Sequence, residues 1–275
     1  MHATTPTTEP DGLNVRTLLT LAVLVASTLG VAPSMAQSAL APTGTLRAVY
    51  IQSNLAQAAK DPATGEFRGV SADIARELGR RNQVPVTITP RPSATAVLEA
   101  VQKGIADIGF VAPNPERMGV VLYSQTYMLV QQSFLVLDSS PIKSVSELDR
   151  PGRTIGANTG DSVGLYVKTY FTQAAFKESP DFSLQEAAKW LTAGTVDAFG
   201  GNRQRLRVST SGIPGLRLLP DNLYGVPQTI AVANDKPERL ADINHVIDEL
   251  RTSGFLAAAV ARSGVDGIDV APAGK

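Results

Sequence analysis

Two short segments of this 275-residue chain carry the residue types from which a small-molecule site could be built. The first is Phe110-Val111-Ala112-Pro113-Asn114-Pro115-Glu116-Arg117. Asn114 is a good N-cap and Pro115 a good first helical residue, so the spacing predicts a helix start with Arg117 in its first turn. A cation there opposes the helix macrodipole. Two readings follow. Arg117 is either a solvated side chain paired at most with Glu116, or a guanidinium that joins the helix end in holding an anion, gripping a carboxylate through two parallel N–H bonds. The second segment is Gly160-Asp161-Ser162, which leads from a strand over 153–157 into a helix. Asp161 or Ser162 as a plain N-cap accounts for this spacing. A helix N-terminus aimed into a cleft would instead offer backbone N–H groups to a ligand.

Much other chemistry is excluded by composition. There is no cysteine, hence no disulfide, thiolate metal site or lipidated cysteine anchor. His2 and His245 are the two histidines, too few for a histidine metal cluster, and a Ser-His-Asp triad is not expected. His245 reads as a boundary residue beside the apolar face of the last helix. Lys+Arg and Asp+Glu both number 25, so no basic excess points to nucleic acid. Neither GxxxxGK[ST] nor GxGxxG occurs, which leaves a phosphate or dinucleotide cradle unsupported. No cofactor or metal is expected. Arg203, Arg205 and Arg207 alternate without interleaved aromatics and read as a solvated face, while Trp190 reads as core.

These segments need a scaffold, and the apolar pattern supplies one. Strands are expected over 46–51, 86–89, 108–111, 133–137, 153–157, 196–199, 216–219 and 229–232. Helical faces are marked by Val70, Ile74 and Leu78, by Val97, Leu98, Val101 and Ile105, by Leu184, Ala187, Ala188 and Leu191, and by Leu240, Ile243, Ile247 and Leu250. The β-α-β-α-β order implies parallel strands with right-handed crossovers, and two such α/β units without a flexible linker imply a cleft between them. Ligands of open α/β sheets bind beyond the carboxyl ends of the strands, where the loops after 46–51, 108–111 and 154–157 lie. Ahead of this region, Leu18 to Leu29 is an apolar run preceded by Arg16 and followed by Ala32-Pro33-Ser34-Met35-Ala36. It is shorter than a membrane span and reads as a secretory signal, residues 1–36, cut after Ala36. Export to a bacterial periplasm or outside the cell follows, and absence of cysteine fits an oxidising compartment.

Taken in order, several motifs resemble the solute-binding proteins of polar amino acid ABC transporters (bacterial family 3). They are Gly44-Thr45-Leu46-Arg47-Ala48-Val49, Glu66-Phe67-Arg68-Gly69-Val70-Ser71-Ala72-Asp73-Ile74-Ala75, Gly104-Ile105-Ala106-Asp107-Ile108, Pro115-Glu116-Arg117, Arg153-Thr154-Ile155-Gly156 with Gly160-Asp161-Ser162, and Gly194-Thr195-Val196-Asp197-Ala198. Each is weak alone, and the ordered set is specific. The resemblance implies an α/β type II periplasmic binding fold: two lobes, each a mainly parallel sheet flanked by helices, joined by two hinge crossings and closing on a ligand. Lobe 1 would comprise 40–130 and 225–275, and lobe 2 residues 131–224. It also implies that Arg117 binds a ligand α-carboxylate and that Ser162 contributes at the start of the second lobe's helix. The partners implied are a small carboxylate or amino acid and an ABC permease in the inner membrane, served by a monomer without enzymatic activity.

Departures from the family pattern bear on the ligand. The acid that usually pairs the ligand ammonium is replaced by Asn202, an amide that supplies no counter-charge. The hydroxyl residue usual five places before the arginine is Ala112. Asn54 and Gln57 stand where an aromatic platform is usual, with Tyr50 the nearby aromatic. Asp161 could replace the missing charge. The expected site is thus Arg117, Ala112, Phe110, Asp161, Ser162, Asn202, Asn54 and Tyr50. Alternative functions on the same scaffold are a periplasmic lyase of the cyclohexadienyl dehydratase type, with Asp161 or Glu66 as acid, a sensor read by a membrane receptor, and an accessory component of a periplasmic oxidase.

Overall fold

The computed structural model describes residues 1–5, 38–113, 119–180, 184–210 and 212–274. Met1–Ala36 and Gln37–Lys275 are separate units. Of the first, residues 1–5 are exposed and without regular structure. The expected secretory segment around Leu18–Leu29 and the expected helix start at Asn114–Arg117 lie outside the described residues. No described helix is long and apolar enough to cross a membrane.

Parallel pairing in the first half of the chain follows from its apolar spacing. β1 (Leu46–Ile51) runs parallel between β4 (Val86–Arg91) and β5 (Ile108–Val111). A hairpin of β2 (Ala59–Lys60) and β3 (Phe67–Arg68) precedes α1 (Val70–Arg81), whose buried Val70, Ile74 and Leu78 cover one face of the sheet. α2 (Ala94–Gln102) starts at Ser93, whose hydroxyl accepts the Ala96 N–H at 3.2 Å, and buries Val97, Leu98 and Val101 on the other face. In the second half, β8 (Thr154–Asn158) runs parallel to β9 (Ala175–Ser179) and β10 (Ala198–Asn202). α3 (Ser162–Tyr170) covers one side of this sheet, and α4 (Leu184–Thr192) with α5 (Arg203–Thr210) the other.

Two ten-residue strands join the halves. β7 (Met128–Leu137) pairs antiparallel with β12 (Tyr224–Ala233) over Met128–Gln132, then continues to β10 and to β11 (Leu216–Leu218). β12 in turn continues to β5 and to β6 (Val121–Tyr123). The chain ends with α6 (Pro237–Thr252), α7 (Phe255–Ser263) and β13 (Ile268–Val270), which pairs with β7 beside the crossing.

Both halves use one device to set their sheets. Gly104 and Gly194 adopt φ of +66° and +67°, turning the chain after a helix toward an aspartate three residues on. Asp107 then accepts the backbone N–H of Arg47 at 2.9 Å, and Asp197 that of Thr154 at 2.8 Å, which locks the neighbouring strand in register. An arginine completes each clamp, Arg47 at 2.8 Å and Arg153 at 3.2 Å.

Several expectations change. The strands expected over 133–137 and 229–232 are only the apolar ends of the two crossings. Arg203, Arg205 and Arg207 do not form one solvated strip, because positions two apart on α5 point about 200° apart. Arg203 is buried and donates to the carbonyls of Leu219 and Asp221, Arg205 turns away from it to within 3.9 Å of Asp161, and the exposed Arg207, one turn on from Arg203, shares Asp266 with it. His245 is not boundary-packed but exposed, 3.1 Å from Glu249. Trp190 packs at the edge of the core and donates to Glu186 at 2.6 Å.

Candidate functional site

In the second half, the carboxyl ends of β8 and β10 bring together three expected site residues and two others. Asp161 takes the N-cap position of α3 with extended backbone, and Ser162 begins the helix. The Ser162 hydroxyl donates to Asp161 Oδ1 at 3.4 Å, and burial pushes the Tyr224 hydroxyl up. Tyr224 stacks on Tyr166 with ring centroids 4.6 Å apart and planes at 15°. Register places Gln132 directly opposite both Tyr224 and Asn202, so these three side chains leave one face of the sheet.

Asn202 differs from expectation in what it can offer. Its Oδ1 accepts the Gln204 N–H at 3.1 Å and so caps α5. One lone pair of the oxygen that would face an ammonium is thus engaged, and what it offers in addition is neutral, without counter-charge. Asp161 is the nearby acid. Burial pushes its carboxyl above the ordinary carboxylate range, opposed by Arg205, whose guanidinium lies 3.9 Å away. The raised position means that its contribution to stability is lost as pH rises through its folded-state titration. Asp161→Asn should therefore melt at a higher temperature than wild type at pH 7, with the gap closing as pH falls from the raised folded-state titration down to the ordinary carboxylate range. A wild-type advantage at neutral pH would show that the Arg205 pairing outweighs burial.

In the first half, Asn54 follows β1 and donates Nδ2 to Gln228 Oε1 at 3.4 Å, where Gln57 Nε2 also donates at 2.8 Å. Gln57 is held by the entry to α1. Gly69 has φ of +126°, and a Cβ there would stand 2.6 Å from the Gln57 carbonyl oxygen, so a side chain would push this loop away. Ala112 is half-buried just beyond β5. Arg117 lies outside the described residues. Arg91, in register with Ile51 at the end of β4, has a buried Nε with no acceptor among the described residues.

Two expected contacts prove to be core. Tyr50 is 3% exposed and packs edge-on against Phe67 at 5.9 Å, and Phe110 is 1% exposed against Tyr127 at 5.9 Å. Side chains alternate along a strand, and both residues point into the cluster beneath α1 instead of toward the strand ends. The stacked aromatic pair belongs instead to the second half, as Tyr224 and Tyr166. Gln132, Tyr224 and Gln228 were absent from the expected site. Their signal in the sequence is a polar residue inside an otherwise apolar strand, as in Met128-Leu129-Val130-Gln131-Gln132-Ser133-Phe134. No cluster of three or more metal-ligating side chains occurs among the described residues.

Comparison with known proteins gives a consistent picture. Residues 49–263 match the model of the bacterial extracellular solute-binding proteins, family 3. A glutamine-binding protein of Geobacillus stearothermophilus is 26% identical over 181 residues, spanning 64% of this chain and 68% of that protein. Among solved structures, a putative binding component of an ABC transporter from Wolinella succinogenes, complexed with lysine, superposes with a TM-score of 0.64 at 24% identity, covering 80% of this chain and 95% of the other. An ancestral amino acid-binding protein described as a precursor of cyclohexadienyl dehydratase gives 0.61 at 22%, covering 80% and 95%. These superpositions show the type II periplasmic binding fold.

Proposed function

The chain belongs to the bacterial extracellular solute-binding proteins, family 3, and from that premise we propose that it captures a small carboxylate-bearing solute, an amino acid or related organic acid, for an ABC permease of the inner membrane. Capture takes place in the periplasm after removal of residues 1–36, and the protein works as a monomer without chemistry of its own. The lobes are 40–130 with 225–275, and 131–224, and β7 and β12 are the strands about which they close.

The observation that carries this reading is the gathering of Asp161, Ser162, Tyr224, Gln132 and Asn202 at the strand ends of one half, beside the crossing that leads to Asn54, Gln57 and Gln228 in the other. That is a polar site shared across a hinge, suited to holding a small ligand between two bodies. Arg117 supplies the cation for the carboxylate. Isothermal titration of the mature protein against the standard amino acids and simple organic acids tests it. Saturable binding of at least one carboxylate is expected, and inertness toward the whole panel would remove the proposal.

One observation favours a lyase as the second reading: a buried carboxyl, Asp161, held above its ordinary range as a general acid needs to be. Incubation with prephenate or arogenate, followed by ultraviolet detection of an aromatic product, separates the two.

A further inference from the structure

Four side-chain amides along the crossing have orientations set by the backbone, and together they specify what the ligand must bring. The Ile51 N–H donates to Gln57 Oε1 at 3.0 Å, so Gln57 presents its Nε2 to Gln228. Gln228 receives that bond on Oε1 and turns its own Nε2 to the carbonyls of Pro227 at 3.0 Å and Val226 at 3.4 Å. Asn54 reaches the same Gln228 oxygen and must do so with Nδ2. Its Oδ1 is therefore an acceptor, and it has no donor among the described residues. At the other end of the crossing, Gln132 donates Nε2 to the Val130 carbonyl at 3.0 Å, which leaves its buried Oε1 likewise without a donor. Val130 and Val226 are partners in register. The Gln132 and Gln228 amides thus fold from opposite ends toward one central rung, on one face of the β7–β12 ribbon.

Resting on the carboxylate-capture reading above, we propose that Asn54 Oδ1 and Gln132 Oε1 are the specificity-determining acceptors of the site, and that the ligand is a small carboxylate whose far end carries neutral donors, a hydroxyl or a carboxamide. Buried carbonyl oxygens without donors are costly, and a ligand N–H or O–H relieves that cost. A cationic end is disfavoured because the formal charges are already engaged. Asn202 is neutral and its oxygen caps α5, while Asp161 faces Arg205. An ammonium placed among neutral amides would lose its water without a counter-charge.

Four five-carbon carboxylates matched in length test this by titration: glutaramate, 5-hydroxyvalerate, 5-aminovalerate and valerate. Glutaramate and 5-hydroxyvalerate are expected to bind about tenfold or more tighter than the other two, as one or two satisfied buried acceptors require. Asn54→Leu and Gln132→Met should erase that advantage, bringing glutaramate and 5-hydroxyvalerate down to the affinity each variant has for valerate. Asn54→Asp should instead raise the affinity for 5-aminovalerate, a gain that misfolding cannot produce. Tighter binding of 5-aminovalerate by the wild type, an advantage that survives both apolar substitutions, or no gain in Asn54→Asp overturns the inference. Failure of all four compounds together with every amino acid and organic acid of the wider panel overturns the carboxylate-capture reading itself.

Discussion

Arg117→Ala should weaken binding of whichever carboxylate the protein captures by about 100-fold or more, with little change in the melting temperature of the ligand-free protein. A desolvated carboxylate left without its guanidinium loses about 2–5 kcal/mol, and each 1.4 kcal/mol is a factor of ten. Ala112 is half-buried where the chain leaves β5 at the carboxyl edge of the sheet. Five residues later the Pro-Glu-Arg motif supplies a cation that opposes the dipole of the helix the sequence predicts. A planar fork also accounts for a second expected result. Arg117→Lys should recover only part of the loss, because an ammonium holds a carboxylate as a point charge and not through two parallel bonds. Titration of both variants beside the wild type checks the pair. Unchanged affinity in Arg117→Ala would mean that the anion is held elsewhere, and Arg91 would be the next cation to test.

The other large effect concerns stability. Asp107→Ala should cost about 3–5 kcal/mol, as removing one partner of a buried ion pair does, read as a lower urea midpoint. The Asp107 carboxylate is 1% exposed and accepts from the Arg47 backbone, Nε and Nη2 at 2.8–3.0 Å. Its loss would leave the Arg47 backbone N–H without an acceptor and the Arg47 guanidinium without its carboxylate. The nearby Arg239, 5% exposed, would lose a carboxylate 3.8 Å away, although it keeps the Asp107 carbonyl at 3.0 Å. Asp197→Ala removes the matching clamp of the other half at a carboxylate that is one-third exposed. Water takes over part of its role, and the cost should be nearer 1 kcal/mol. Equal midpoints for the two variants would refute the claim that burial sets the difference.

Much of this protein could be read along its own chain. The faces of α1 and α2, the strands over 46–51 and 108–111 and the two Gly-x-x-Asp turns are local patterns, visible because burial repeats every two or three to four residues. The start of α3 at Asp161-Ser162 is legible for a different local reason, its N-capping residue types. The crossings were half legible. Leu129–Gln132 and Tyr224–Gln228 mix glutamines and a proline into strands, and only their apolar continuations stood out. Tyr50 and Phe110 misled because nearly every position of their strands is buried, on both faces, so alternation could not say which way a ring turns.

What the amino-acid order settled by itself is therefore the kind of protein: alternating α/β units and the family to which the motifs belong. What tertiary structure decided is which polar atoms remain available. That Asn54 offers an oxygen depends on its bond and that of Gln57 to Gln228, while Gln132 and Asn202 are turned by backbone two residues away and meet across the sheet through the strand register. Periodicity reports only whether a residue is buried. The direction of the Asn54 and Gln57 side chains is set by Gln228, 174 and 171 positions away, which only the folded chain brings beside them.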